Sequence, residues 1–475
     1  MTRGSGPMTA YGSAARRTTR SLDRRGRVWA KLAGWVSFPI VMWVALWLSI
    51  NTGPWQFSEF GSGFGADMDA VRAGLPLVVL ALAVLSLITA GRRHRDDWVE
   101  RALWAYGLIM LLACTGAENW FDQAYWGFAF LAALAVAASG IRHEEALALT
   151  ARLNWASWLM TSLVLLAMLF VARDVLYAPD TGSSYNVLNR FQDAYGYTIS
   201  RSTGLSRMAA IPAIISLVFV FSGPPWKRLA SLAVLCASIY VIWIMQARGA
   251  LFAFVGAFLF VMFLGERKAQ KASILILIAV GLFAVLGSSS GGSLHDVWLH
   301  ATRGEGSDAF GSMSGRDVIR QNAIERIAAS PLFGYGPQAD RLFADVGNAQ
   351  NAVLYALLCA GIVGAFFFLV AFLLAWRALI FLIRRIRRLE PRERRMVQIT
   401  GGILVFATLR SIPENNAALF SIDLLLQFPA MLYLATLRER LVRESRQPRA
   451  VEGSALWRPA GARAELWRLP PAINR

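Results

Sequence analysis

The sequence predicts an all-α polytopic membrane protein with about twelve transmembrane helices and a large outer loop late in the chain. Three observations carry this. Of the 475 residues, 56% are hydrophobic and only 16% are charged, against ~25% charged in a soluble domain. The apolar residues come in long blocks, and a block of ~20 residues matches the bilayer when helical. Arginine and lysine gather in alternate connections between the blocks, as they do in loops that stay in the cytoplasm.

The blocks place spans at 32–50, 72–90, 102–117, 124–140, 155–172, 208–222, 229–246, 249–264, 272–288, 351–376, 397–412 and 419–437. The third is short and the eleventh only moderately apolar. Residues 1–31 form a polar, basic tail ("RRTTRSLDRRGR"). No short apolar region with a small-residue cleavage site precedes the first block, which reads as an uncleaved span. The connections "GRRHRDDWVER", "IRHEEALALTAR", "GPPWKR", "GERKAQK" and "RRIRRLEPRERR" all fall on one side, the cytoplasmic side by the positive-inside rule. An even span count leaves both termini there. The transmembrane domain is 32–437, including outer loops 173–207 and 288–350, which are periplasmic if the membrane is a bacterial inner one, and 438–475 is a second basic tail. In that tail "ALWRPAG" and "ELWRLPP" suit either a membrane surface or a disordered segment.

The net charge of +18 belongs to the cytoplasmic loops, so we assign no nucleic-acid partner. Cys114, Cys236 and Cys359 lie inside apolar blocks, and His94, His143, His295 and His300 lack ligand spacing. No Walker loop or dinucleotide motif is present, and no acidic pair has an obvious metal-binding arrangement. The expectation is no cofactor and no metal. We detect no inverted repeat of the kind that marks many transporters.

Five polar features sit on the outer side. Arg248 interrupts the apolar run "YVIWIMQARGALFAFVGAFLFVMF" at a tight hinge between two spans. The positive-inside rule disfavours an arginine there; snorkelling to lipid phosphates is the alternative to a function. In "MSGRDVIRQNAIERIAASPLFGYGP", Ser314 is a candidate N-cap and Pro331 ends a helix at Ser330. On that helix Arg316, Ile319, Ala323 and Ile327 share a face, Arg320 lies at its edge, and Asp317, Gln321 and Glu325 face away. Arg316 therefore points inward, or snorkels from an amphipathic surface helix. Asn348, Gln350 and Asn351 cluster at the mouth of the tenth span; capping explains either asparagine but not Gln350. Arg201 and Arg207 precede the sixth span, and Arg410 and Glu414 lie in the short turn "LRSIPENNAALF" before the last. Arginine binds phosphate bidentately and stays charged, so this set fits an anionic, diphosphate-like ligand.

Together these residues resemble the O-antigen ligase and polymerase superfamily of bacterial inner membranes. "QARGAL" is similar to the family's Ser-Arg-Gly hinge, "SGRDVIRQNAIERIAASPLFGYGP" to its Ser-Gly-Arg and Pro-Leu-x-Gly-x-Gly pattern, "AQNAVLYALLCAGIVG" to its Ala-His-Asn and Gly-x-x-Gly run, and "RSTGLSR" to its Arg-x-Thr-Gly-Leu segment. The motifs span roughly 200–376. The resemblance implies a fold like the integral-membrane glycosyltransferase class. It also implies a metal-independent enzyme that uses undecaprenyl-diphosphate-linked glycan at the periplasmic face of the inner membrane. Arg248 and Arg316 would hold the donor diphosphate, with Arg201, Arg207, Arg320, Gln350, Asn351 and Arg410 binding substrate. The acceptor would be a glycan or lipid A-core, in contact with membrane lipid and with a chain-length regulator protein. Where the family's ligases carry a histidine, this chain has Gln350, which orients a hydroxyl but takes no proton at neutral pH. Glu414 heads the replacement bases, ahead of Asp317, His295 and His300. The departure favours a polymerase over a ligase. A flippase for anionic glycolipid is the reading from another class, with Asp423 its clearest in-span charge.

Overall fold

The structure, a computed structural model, describes residues 37–50, 64–89, 97–116, 120–139, 146–170, 202–222, 224–245, 247–264, 316–343, 345–347 and 349–446. The expected ninth span, most of the 173–207 loop, residues 288–315 of the second long loop, the N-terminal tail, residues 447–475 of the C-terminal tail, Arg201, Ser314, His295, His300 and Asn348 lie outside them, as does the Arg316 side chain.

Among the described residues the chain is helical, with no strand. In chain order the helices are α1 Phe38–Leu48, α2 Phe64–Thr89, α3 Trp98–Leu112, α4 Trp120–Ala138, α5 Ala146–Phe170, α6 Ser202–Ser222 and α7 Pro225–Ile244. There follow α8 Arg248–Phe263, α9 Arg316–Ala329, α10 Ala339–Leu342, α11 Ala352–Arg384, α12 Pro391–Arg410 and α13 Ile422–Arg446. Six are long and apolar enough to cross a membrane: α4, α5, α7, α11, and the stretches Ala70–Thr89 and Gly204–Ser222. Helices α1 and α8 are shorter apolar helices. Helices α12 and α13 occupy the last two expected spans but carry their charged ends ("PRERR" and "RERLVRESR") inside the same helix. This is a multi-pass membrane protein; the full count of twelve remains an expectation.

Helices α4 and α6 are the centre of the bundle, with 78% and 83% of their apolar windows buried, against 22% for α2 and α7. Alanines let α4 pack closely on its neighbours: Ala129, Ala132, Ala133, Ala135 and Ala137 are all fully buried. Elsewhere α11 packs on α3, α8 on α12, and α13 on α5.

Two breaks in the helical ladder are repaired by neighbours, as a membrane interior demands. Pro429 lacks the N–H that would bond Leu425. The Ser157 hydroxyl of α5 donates to the Leu425 carbonyl instead, at 2.7 Å, and Asn154 donates to the Pro429 carbonyl at 2.7 Å. The second break is at Gly361 in α11, where φ is 61° and ψ −169°, a region open essentially to glycine alone. The segment Pro331–Gly336 inserts there. Tyr335 and Gly336 donate their N–H groups to the carbonyls of Leu358 and Cys359, both at 2.9 Å, and Ile362 donates to Pro331 at 2.8 Å. This explains the spacing of "PLFGYG". Gly334, at φ 69°, comes so close that a Cβ would sit 2.5 Å from the Leu358 carbonyl oxygen. Any larger residue would push the segment out of the break.

Candidate functional site

Helix α11 runs between two ends of the bundle, and the polar features cluster at the end where it begins. Its N-cap is Asn351, whose side chain accepts from Val353 and Leu354 N–H, both at 3.0 Å. The same side chain donates to the carbonyl of Ile412 at 3.0 Å, and Ala352 N–H donates to Ser411 at 3.0 Å. So the mouth of α11 is tied to the turn between α12 and α13.

That turn, residues 411–416, is a hub. Arg320 of α9 donates to Ile412 at 3.3 Å. Gly249, next to Arg248 at the start of α8, packs on Pro413 closely enough that a Cβ would lie 3.1 Å from its ring. Arg248 itself is half-buried as the first residue of α8. Helix α9 lies with Ala323 buried, Ile319, Arg320 and Ile327 half-buried, and Asp317, Gln321 and Glu325 exposed; of the stripe read from the sequence, Ile319, Ala323 and Ile327 turn inward.

Beneath the turn is a buried charge cluster. Asp423 of α13 accepts from Arg207 of α6 on one oxygen and from Arg410 of α12 on the other, at 2.6 Å. Arg410 also donates to Asn416 at 3.3 Å and stands 3.9 Å from Glu414. Arg207, Arg410 and Asp423 are 8%, 3% and 7% exposed, and the Glu414 side chain 22%. Three helices are thereby pinned at one point, with the charges of two arginines and two acids in balance.

The structure thus gathers Arg207, Arg248, Arg320, Asn351, Arg410 and Glu414 on or around one turn. Gln350 immediately precedes this cap and adopts φ 44°, left-handed and unusual for a residue with a side chain. Arg316 opens α9, but its guanidinium is outside the described atoms. Sequence reasoning missed Asp340 in the short helix α10. It accepts from Ala349 N–H at 3.2 Å and from Asn415 at 3.3 Å, and burial pushes its carboxyl above the usual carboxylate range. It also missed that Asp423 bridges two of the expected substrate arginines. Among the described residues, no three His, Cys, Asp or Glu side chains are grouped to share a metal.

The described residues thus form a helical multi-pass membrane protein with paired and half-buried arginines at one end. Residues 232–369 match the family model described as O-antigen ligase, a match over less than a third of the chain that supports a relation to the O-antigen ligase-related superfamily. The matched stretch contains the Arg248 hinge, α9, the inserted 331–336 segment and the Gly361 break. It stops before the 411–416 turn and Asp423. No curated protein matches the chain.

Proposed function

We propose that the chain polymerises undecaprenyl-diphosphate-linked oligosaccharide repeat units at the periplasmic face of the inner membrane, as an O-antigen or exopolysaccharide polymerase. The observation that carries this is the convergence of Arg248, Arg320, Asn351 and the Arg207–Asp423–Arg410 cluster on one turn.

In this reading an acceptor hydroxyl attacks the anomeric carbon of the donor's first sugar. A glycosidic C–O bond forms, the bond to diphosphate breaks, and undecaprenyl diphosphate leaves. Arg248 and Arg316 stabilise the charge that grows on the leaving diphosphate, and Arg320 extends that electropositive edge. Arg201 and Asn351 complete the substrate contacts. Glu414 is the carboxylate that accepts the proton of the hydroxyl. Arg207 and Arg410 serve from below: their guanidiniums are committed to Asp423 and give the turn a rigid frame. That pairing also accounts for Asp423 without transport, which weakens the flippase reading.

Gln350 in place of a histidine supports polymerase over ligase. The ligase reading, transfer of glycan to lipid A-core, is favoured by the description of the matching family. A deletion strain separates them: loss of a polymerase leaves single repeats on the acceptor, and loss of a ligase leaves full-length glycan on undecaprenyl diphosphate. With purified protein and lipid-diphosphate repeat units, Arg248→Ala and Arg316→Ala each abolish chain growth at normal expression. Unchanged products from both variants would sink the mechanism.

A further inference from the structure

Asp340 is 3% exposed, yet only one of its oxygens is used. Oδ2 takes both the Ala349 N–H and the Asn415 amide, while Oδ1 has no hydrogen-bond partner among the described residues. A buried carboxylate with an idle oxygen is expensive, and nothing in the helical frame requires it. Helix α10 is already anchored without it: Gln338, at φ 58°, donates its N–H to the Tyr355 hydroxyl at 3.0 Å.

What Asp340 does hold is the approach to Gln350. The residue before Gln350 is bonded to Asp340, and the residue after it is bonded to Ile412. Between these two anchors Gln350 is kept at φ 44°, a setting that persists in a non-glycine residue only when its surroundings over-determine it. The groups that face Asp340 are Arg341 beside it, Tyr355 and Cys359 from α11, and Asn415 from the turn. Only Arg341 among them is charged at neutral pH.

We propose that Asp340 is a positioning residue for the transfer reaction: through the Ala349 amide it holds Gln350 in its left-handed conformation, and so presents the Gln350 amide to the acceptor hydroxyl at the mouth of α11. This rests on the glycan-transfer reading above. Asp340 itself touches no substrate and moves no proton. Its role needs a hydrogen-bond acceptor, not a charge, so an asparagine can fill it.

The test compares Asp340→Leu and Asp340→Asn in proteoliposomes, with the undecaprenyl-diphosphate repeat unit isolated from the host membrane as substrate. Leucine fills the buried site and removes the acceptor; asparagine keeps a carbonyl for Ala349. Asp340→Leu lowers kcat on the order of 100-fold, the scale of a small misplacement of a reacting group, with the donor KM unchanged and the variant still folded at the assay temperature, since the stranded Ala349 N–H lowers melting only modestly. Asp340→Asn recovers most of that rate and keeps the wild-type pH profile. A leucine variant at the wild-type rate overturns the proposal, as does an asparagine variant as inactive as leucine. Loss of the acidic limb in Asp340→Asn also overturns it, because it would make Asp340 the proton acceptor. If the wild type forms no glycosidic bond at all, the transfer reading falls and takes this proposal with it.

Discussion

The two ends of α12 and α13 each hold an arginine–carboxylate pair at the same distance, 2.6 Å, in opposite settings. At the hub, Arg410 meets Asp423 with side-chain exposures of 3% and 10%. At the far end, Arg440 meets Glu393 with exposures of 39% and 11%, among exposed Arg387, Arg388 and Arg392. Distance does not distinguish them; surroundings do. A pair in water gains little, because solvent screens it and both side chains lose freedom. A buried pair is hardly better as a source of net stability, but breaking it strands a charge where no water reaches. The hub therefore locks a geometry, and the far end is an exposed, arginine-rich face.

The sharpest way to break this contrast is Asp423→Ala. It leaves two buried guanidiniums facing each other, and the loss expected is about 3–5 kcal/mol, read as a fall in melting temperature in detergent and as lost expression. A variant that melts like the wild type would mean that water or lipid phosphate reaches the cluster. Next comes Gly361→Ala. A Cβ there meets the Leu332 carbonyl, and the backbone setting alone costs about 1–3 kcal/mol in any other residue. Melting should fall by at least that amount, and protease should gain access near Pro331–Gly336 as the segment leaves the break.

These two positions also show what was legible in the sequence. Arg248 was legible because a single charge in an apolar run is conspicuous, and the α9 face because helical periodicity is local. Asp423 was noticed as an in-span acid, but its partners were not: Arg207 lies 216 residues away, and only packing of three helices brings the groups together. "PLFGYG" was visible as a motif, yet its mate is a single glycine inside an apolar span that reads as continuous helix. Asp340 had no local signature at all. An acid in a loop looks solvated until the fold buries it.

Asp340 gives a smaller and pH-dependent test. Burial raises its carboxyl above the ordinary value, so the folded protein keeps a proton that the unfolded chain has lost. The stabilising contribution is full below the ordinary carboxylate value. It fades as pH rises through the raised one, at up to about 1.4 kcal/mol per pH unit. Melting curves across the acidic range should show this slope in the wild type and not in Asp340→Asn. The same slope in both would assign it to another group.

The smallest effect belongs to the far end. Arg440→Ala removes the Glu393 partner and a contact to Glu444, yet Arg440 is 39% exposed. With water to replace its bonds, the expected loss is about 0–1 kcal/mol, shrinking further as salt rises past a Debye length of ~8 Å at physiological strength. Glu393 is the point of risk, since it is 9% exposed and would lose its short bond. If Arg440→Ala costs as much as Asp423→Ala, the pair behaves as buried, and the far end is then covered by something that excludes water. Salt decides between these cases. A loss that vanishes in high salt belongs to a solvated pair, whereas one that persists belongs to a group that solvent cannot reach.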